Sequence, residues 1–552
     1  MSSVLMPARR LFLAFLTVLA AAPVLAQPAP EPAAPKLVLV LVVDGLPAEQ
    51  VQRYRGQFGA GGFRRLLEQG AWYANAHQAH GVTVTAVGHS AVLTGAYPYR
   101  HGIIGNSWLD KNSNTVYCTE DARYHYLGEE TGPHDGTSPA NLRVDTLGDQ
   151  LRYATGNRAK VITVAGKDRG AILLAGKTGT AYMFTDHSGG FASSSFYMER
   201  YPAWVERFRA AKRQDSYYGK TWQPLLPAAA YADDAPDPEP TAKDPKRFPF
   251  TFASPSGKYD EDYYWRLKTS PVVDELTLEF ARAAVDGEQL GHNPAGVPDL
   301  LGVSLSGHDY VNHAYGPESR MSHDHLQQLD RLLARFFDWL DRKVGMDQVL
   351  VVLTADHGFA NAPEFSRQRH IDALRINPDR LLAGLNEALT ARFGVANLVK
   401  TSWLPDLYLD YGAVERARLA RAEVEQAAAR WLLEQPGIAQ VFTRSQLEQG
   451  DVHATRLGLL MQRAWNRQLS GDLMVVPSAY SLFTKASSGS SHGAPYAYDT
   501  NVPLLLYGAP WIKPGARPEY AEVVDLAPTL AHLLRVRPPA GAEGRVLAEA
   551  LR

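Results

Sequence analysis

Apolar residues in this chain gather into short, unbroken runs. "KLVLVLVVD" at 36 to 44 has no polar face to turn toward water, the pattern of a strand buried on both sides within a parallel sheet. "AKVITVAGKDR" (159 to 169), "PDLLGVSLS" (298 to 306), "DQVLVVLTADHG" (347 to 358) and "NVPLLLYG" (501 to 508) share that character and predict further strands of the same kind. Leu326, Leu329, Leu333, Phe336 and Leu340 recur in steps of three and four, predicting an amphipathic helix over 322 to 344 that feeds the strand ending at Thr354. A shorter helix is predicted where Val84, Val87, Ala91 and Val92 fall at helical spacing, with Thr85 at its start and Gly95 as its stop. Strands alternating with helices predict an α/β fold, a mostly parallel central sheet flanked by helices.

Two stretches break the alternation. Residues 201 to 270 are rich in Tyr, Trp, Pro and Asp, and 366 to 480 mix basic helices with "SWLPDLYLDYG". Both read as insertions that cap the sheet's active edge, within one catalytic domain spanning 37 to 552. Residues 1 to 26 carry Arg9 and Arg10, an apolar run from Leu11 and a small-residue cleavage site ending at Ala26, which together read as an export signal. Pro23 interrupts the run and leaves it short of a full span, so no stable membrane span is expected once the signal is removed. Residues 27 to 36 form a Pro/Ala-rich tether. The expected location is therefore the periplasm or the exterior, and the expected state is a monomer.

Charge narrows the partners. Lys plus Arg number 56 against 58 for Asp plus Glu, a balance that argues against a nucleic-acid polymer as partner. The one cysteine, Cys118, excludes an internal disulfide. With no basic partner nearby in sequence, it reads as a packed thiol.

The chemistry gathers where strands end. Asp44 follows the first apolar run, Asp356 and His357 follow "VLVVLTA", and Asp309 and His313 lie just past "LLGVSLS". In open parallel sheets ligands bind beyond the carboxyl ends of the strands, so these residues are expected to converge. The four-residue spacing of Asp309 and His313 puts both on one face of a helical turn. Mixed carboxylate and imidazole donors suit zinc better than Ca²⁺ or Mg²⁺, and three carboxylates fit two metals more readily than one. His492 lies in a Gly/Ser-rich loop and, alone, reads as a surface histidine. Thr85 at a helix start is ordinarily a cap, but a hydroxyl there is also well placed as a nucleophile. Thr83 competes for that role on spacing alone.

The ordered set Asp44, "TVTAVGH", "HGIIGN", "KDR", "DYVNH", "TADHG" and "SHGAPY", with "VVDLAPTLAHLL" near the C-terminus, resembles the alkaline phosphatase superfamily. The likeness is to the branch that holds nucleotide pyrophosphatases/phosphodiesterases and the phosphate-irrepressible (PafA-type) alkaline phosphatases. The resemblance implies that Thr85 is the nucleophile, that Asn106 donates to a phosphoryl oxygen, and that His89 is a structural helix residue. It further implies one zinc held by Asp309, His313 and His492 and a second by Asp44, Asp356, His357 and the Thr85 oxygen, with no organic cofactor. Lys167 and Arg169 match the PafA-type enzymes, and their charges suit the oxygens of a phosphate monoester dianion better than those of a diester. The implied activity is hydrolysis of small-molecule phosphate monoesters through a phosphothreonine. A phosphodiesterase or nucleotide pyrophosphatase is the main alternative, and a non-catalytic phosphate- or metal-binding homologue a lesser one. A sulfatase is disfavoured because Cys118 is followed by Thr119 and Glu120, not by the Cys-x-Pro-x-Arg pattern. The export signal speaks against a cytoplasmic, serine-using cofactor-independent phosphoglycerate mutase.

Overall fold

The computed structural model describes residues 32–236, 247–401 and 403–552. The export signal at 1 to 26 lies outside the described residues, and among those described no helix is long and apolar enough to cross a membrane. The elements below belong to one compact unit, Ala34–Arg552. Its central sheet contains β1 (Leu37–Val43), β2 (Ala71–Tyr73), β3 (Val161–Ala165), β4 (Thr180–Phe184), β5 (Phe191–Ala192), β6 (Asp299–Leu305), β7 (Val349–Thr354), β8 (Leu504–Tyr507) and β9 (Gly515–Arg517). They lie in the order β9-β2-β8-β7-β1-β6-β3-β4-β5.

The apolar run at 36 to 44 becomes β1, buried at every position and paired in parallel with β6 and β7. β6 pairs in parallel with β3, and β3 with β4. Five adjacent strands, β7, β1, β6, β3 and β4, therefore run parallel, and the first four end side by side at one edge. β8 departs from expectation: it runs antiparallel to both β7 and β2, and β5 is antiparallel to β4. An apolar run reports burial on both faces and is blind to direction. β8 leaves from the loop that carries His492, which lies at the edge where β7 ends, so it must run back across the sheet.

Five helices matter for the site: α1 (Thr85–Thr94), α2 (Asp168–Ala175), α3 (Glu261–Lys268), α4 (Gly307–Tyr315) and α5 (Arg320–Lys343). α5 covers the predicted stretch as far as Lys343, with Val344 as its C-cap, buries the predicted Leu and Phe seam, and is capped at its start by Ser319, which accepts from the Ser322 N–H. α1 starts and stops where expected, with Gly95 left-handed at its end, but all ten of its residues are buried. A helix enclosed on every side has no polar face, so its Thr, Ser and His side chains must find partners inside the protein. The stretch 201 to 270 contributes α3. The stretch 366 to 480 builds its own four-stranded sheet from Val399–Lys400, Asp406–Leu409, Leu473–Pro477 and Ile438–Thr443. That sheet packs over a separate apolar cluster that includes Leu385, Leu432 and Val475.

Candidate active site

The four parallel strand ends deliver the predicted donors to one point. Asp44 follows β1, Asp356 and His357 follow β7, and Asp309 and His313 stand one turn apart on α4 just past β6. Gly45 takes a left-handed turn (φ +68°), and a Cβ there would come within 3.1 Å of the Asp309 backbone. Two sets of donor atoms result, Asp309 with His313 and His492, and Asp44 with Asp356 and His357, each with its atoms within 4.8 Å of one another.

The three imidazoles are oriented alike. Nδ1 of His357 bonds the Gly358 carbonyl (2.9 Å), Nδ1 of His313 the Ser490 carbonyl (3.0 Å), and Nδ1 of His492 the Thr83 carbonyl (2.8 Å). A carbonyl only accepts, so each Nδ1 carries the hydrogen and each Nε2 presents a lone pair to the carboxylates. His313 and His492 Nε2 lie 3.5 and 3.4 Å from Asp309 Oδ1, and His357 Nε2 lies 3.5 Å from Asp44 Oδ1. Oδ1 of Asp44 and Oδ1 of Asp309 are buried without a hydrogen-bond donor, while Asp44 Oδ2 meets the Lys167 ammonium at 2.8 Å and Asp356 Oδ2 meets His89 Nδ1 at 3.1 Å. Acceptors this deep demand a cation, and together with the exposed Nε2 lone pairs they fit a pair of metal ions. Burial pulls the pKa of His357 and of His492 below the ordinary imidazole value, keeping both rings neutral and able to ligate. Burial opposes charge on all three carboxylates. It prevails at Asp44, where Asp356 adds to it, while at Asp309 Lys167, His313, His492 and His357 together outweigh it, and at Asp356 His357, His89 and Lys167 together do so.

Thr85 is the first residue of α1, after Val84, so its hydroxyl does not cap the helix. Its Oγ1 lies 3.5 Å from His357 Nε2 and 3.3 Å from Lys167 Nζ. Thr83 is placed differently, its hydroxyl donating to the Ala494 carbonyl (3.0 Å) and its own carbonyl holding His492. The buried Asp499 fixes the same loop by accepting from the Gly493 and Ala494 N–H groups at 2.9 and 2.8 Å. Asn106 Oδ1 accepts from the Ala86 N–H in the first turn of α1 (3.0 Å), which leaves the Nδ2 hydrogens as its outward donors. Gly88 presses α1 against the turn that carries Asp356: a Cβ there would meet the Asp356 carbonyl oxygen at 2.0 Å.

Lys167 and Arg169 open α2 beside this centre. Lys167 Nζ sits 2.5 Å from Asp309 Oδ2 and 2.8 Å from Asp44 Oδ2. Burial works against its charge, but Asp309 and Asp44 outweigh burial and hold its pKa above the ordinary lysine value. Arg169 Nη1 donates to the Tyr117 hydroxyl (3.1 Å), which itself donates to Asp168 Oδ1 (2.8 Å). Both cations line a cavity of about 330 Å³ whose far wall includes Tyr310 and, from α3, Lys268. A second, smaller cavity of about 50 Å³ touches His492 and Val84 and is walled by Trp403, Leu404 and Val475 of the other insertion. Cys118 is buried nearby, and burial, reinforced by Asp168, pushes its thiol up to about 12, which leaves it protonated.

Thus Asp44, Thr85, Lys167, Asp309, His313, Asp356, His357 and His492 form one connected cluster, which Asn106 joins through the Ala86 N–H and Arg169 through the cavity it shares with Lys167. Sequence reasoning missed Tyr117, Tyr310, Lys268 and Asp499. Tyr310 had a signal in its adjacency to Asp309, whereas the others touch the site only through tertiary packing.

A family model described as "Type I phosphodiesterase / nucleotide pyrophosphatase" matches residues 38–496. The alkaline phosphatase PhoV of Synechococcus elongatus is 34% identical over 94% of both chains. Alkaline phosphatase PafA of Elizabethkingia meningoseptica is 33% identical, again over 94% of each. The crystal structure of wild-type PafA superposes with a TM-score of 0.87 at 32% identity, covering 94% of this chain and 99% of that one. With relatives this similar over nearly the whole length, the chain belongs to the type I phosphodiesterase/nucleotide pyrophosphatase family, together with the PafA- and PhoV-type alkaline phosphatases.

Proposed function

We propose that this protein is an exported, monomeric two-zinc phosphomonoesterase that releases inorganic phosphate from small phosphate esters through a phosphothreonine at Thr85. The observation that carries the monoester reading is the pair Lys167 and Arg169, a buried ammonium and a partly buried guanidinium on one cavity beside the Thr85 hydroxyl. A monoester dianion brings one more negative charge to them than a diester does. Asp309, His313 and His492 would hold one zinc and Asp44, Asp356 and His357 the other. When bound, the two ions supply Lewis acidity that lowers the pKa of the nucleophilic hydroxyl and stabilises the leaving oxygen.

The chain's own residues do the rest. Thr85 stands at the amino end of a ten-residue helix, where backbone N–H groups and the helix dipole favour an anion. Its oxygen bonds to phosphorus as the ester P–O bond breaks in line, and water then cleaves the phosphothreonine. Asn106, its carbonyl already committed to Ala86, donates through Nδ2 to one phosphoryl oxygen. Lys167, 3.3 Å from Thr85 Oγ1, reaches another, while Tyr117 braces Arg169 toward the same group.

One observation favours a second reading. The cavity of about 330 Å³ beyond Lys167 and Arg169 has room for a second substituent on phosphorus, as a phosphodiesterase requires. The deciding experiment compares kcat/KM for an aryl phosphate and the matching diaryl phosphate, in the parent and in Lys167→Ala and Arg169→Ala. A cation about 4 Å from a phosphoryl charge is worth up to about 4 kcal/mol at an effective dielectric constant near 20, so monoester turnover should fall by about 100- to 1000-fold, and diester turnover less. A parent that prefers the diester, or equal losses on both substrates, would overturn the monoester reading. Thr85→Ala should abolish turnover while two zinc equivalents remain bound, and retained turnover would remove Thr85 from the role. N-terminal sequencing of the exported protein should begin after Ala26, and an unprocessed N-terminus would reject signal removal.

A further inference from the structure

His89 is fully buried, stands one turn into α1, and contacts three separate parts of the centre. Its Nδ1 lies 2.9 Å from the Thr85 carbonyl oxygen and 3.1 Å from Asp356 Oδ2, while Nε2 lies 2.8 Å from Ser304 Oγ on β6. From these contacts we infer that His89 is a positioning residue that ties the helix bearing Thr85 to the metal-binding carboxylate of Asp356, with Ser304 anchoring its far side. The inference rests on the proposed roles of Thr85 and Asp356.

Hydrogen positions follow from the partners. Thr85 O and Asp356 Oδ2 both accept and neither donates, so Nδ1 carries a hydrogen that faces both. That one hydrogen spans the backbone of the nucleophile's own residue and the oxygen of Asp356 that lies 3.4 Å from His357 Nε2. The other oxygen of Asp356 is held separately, by the N–H groups of Gly45 and His357, each at 3.1 Å. Asp356 is therefore gripped on Oδ1 by the ends of β1 and β7 and steadied on Oδ2 from α1. Without His89, Oδ2 loses its hydrogen-bearing partner on α1, and the contact between α1 and Asp356 rests on packing at Gly88.

Outer partners of this kind set the orientation and basicity of metal ligands, and their loss typically costs about 10- to 100-fold in metal affinity. The experiment measures zinc retention by competition against a chromogenic chelator, alongside kcat and KM, in the parent, His89→Leu, His89→Asn and Ser304→Ala. Asparagine puts an amide N–H near the position of Nδ1, whereas leucine fills the space without a donor. In His89→Leu one zinc equivalent should be released at about 10- to 100-fold lower chelator concentration, and kcat should fall with KM little changed. His89→Asn should recover most of the affinity, and Ser304→Ala should show a smaller shift in the same direction. Ser304→Ala serves as the measure if His89→Leu does not fold. Two zinc equivalents held at parental affinity in the folded variants, or no recovery with asparagine, would overturn the inference. A parent that binds fewer than two equivalents would instead overturn the proposed metal set.

Discussion

Gly88→Ala sets a local propensity against a tertiary contact, and the structure says which wins. Inside an exposed helix the change should stabilise by about 1 kcal/mol, because alanine loses less backbone freedom. At Gly88, however, the new Cβ would stand 2.0 Å from the Asp356 carbonyl oxygen, 2.6 Å from its carbon and 2.8 Å from its Cα, where ordinary contacts begin at 3.4 Å. The obstacle is backbone, which cannot swing aside as the tip of a side chain can, so α1 and the Asp356 turn must separate by roughly an ångström or more. Overpacking of this kind costs about 1 to 3 kcal/mol, which cancels or exceeds the propensity gain. Displacing a nucleophile by about 1 Å costs on the order of 100-fold in rate, equal to about 3 kcal/mol of barrier. The expected result is a zinc-loaded protein with an unchanged or lower Tm and kcat/KM on 4-nitrophenyl phosphate reduced about 100-fold. A raised Tm together with kcat/KM within threefold of the parent would refute the close docking of α1 on Asp356.

Two further outcomes follow from buried charge. Removing metal with a chelator leaves Asp44, Asp309 and Asp356 with Lys167 as the one ammonium bonded among them, so turnover should vanish, Tm should fall, and zinc should restore both at two equivalents; activity surviving in the chelated protein would sink the metal assignment. Burial, with Asp472 second among the groups that push in the same direction, raises the Asp406 carboxyl in the small sheet to about 7, so the folded protein holds a proton there that the unfolded chain releases near pH 4. Stability should therefore decline as pH rises from about 4 to about 7 and then level off. Asp406→Asn, which keeps the acceptor for the Gly471 N–H (2.7 Å), should flatten that decline and raise the urea midpoint at pH 8. An unchanged pH slope in the variant would contradict the shift.

Much of this centre could be read from the chain because its residues obey local rules. Asp44, Asp356 and Asp309 each follow an apolar run, and the ends of parallel strands in a common sheet face one edge. Direction was harder. "NVPLLLYG" looks like its parallel neighbours, yet runs the other way because of where its preceding loop lies. His492 looked like a surface residue because the Thr83 carbonyl that holds its ring is remote in sequence. The resemblance implied no more than a structural helix residue at His89, and its four-residue spacing from Thr85 says nothing of its tertiary partners. Only the fold brings Asp356 and Ser304 to its ring. Tyr117, which braces Arg169, comes from a short hairpin whose sequence carries no sign of that contact.

The distribution of the donors along the chain has a consequence for maturation. One set joins residues 309 and 313 to residue 492, and the other joins residue 44 to residues 356 and 357. Neither set is within one hairpin or one helix-and-strand unit, so a chain still emerging from the ribosome holds only isolated donors that bind weakly and exchange freely. On the proposed metal assignment, stable loading would wait until β1, β6 and β7 have paired and the His492 loop has closed over them. Tight metal retention is thus a readout of completed topology, and a truncated product ending before residue 492 would lack a full first set however well its remaining core had folded.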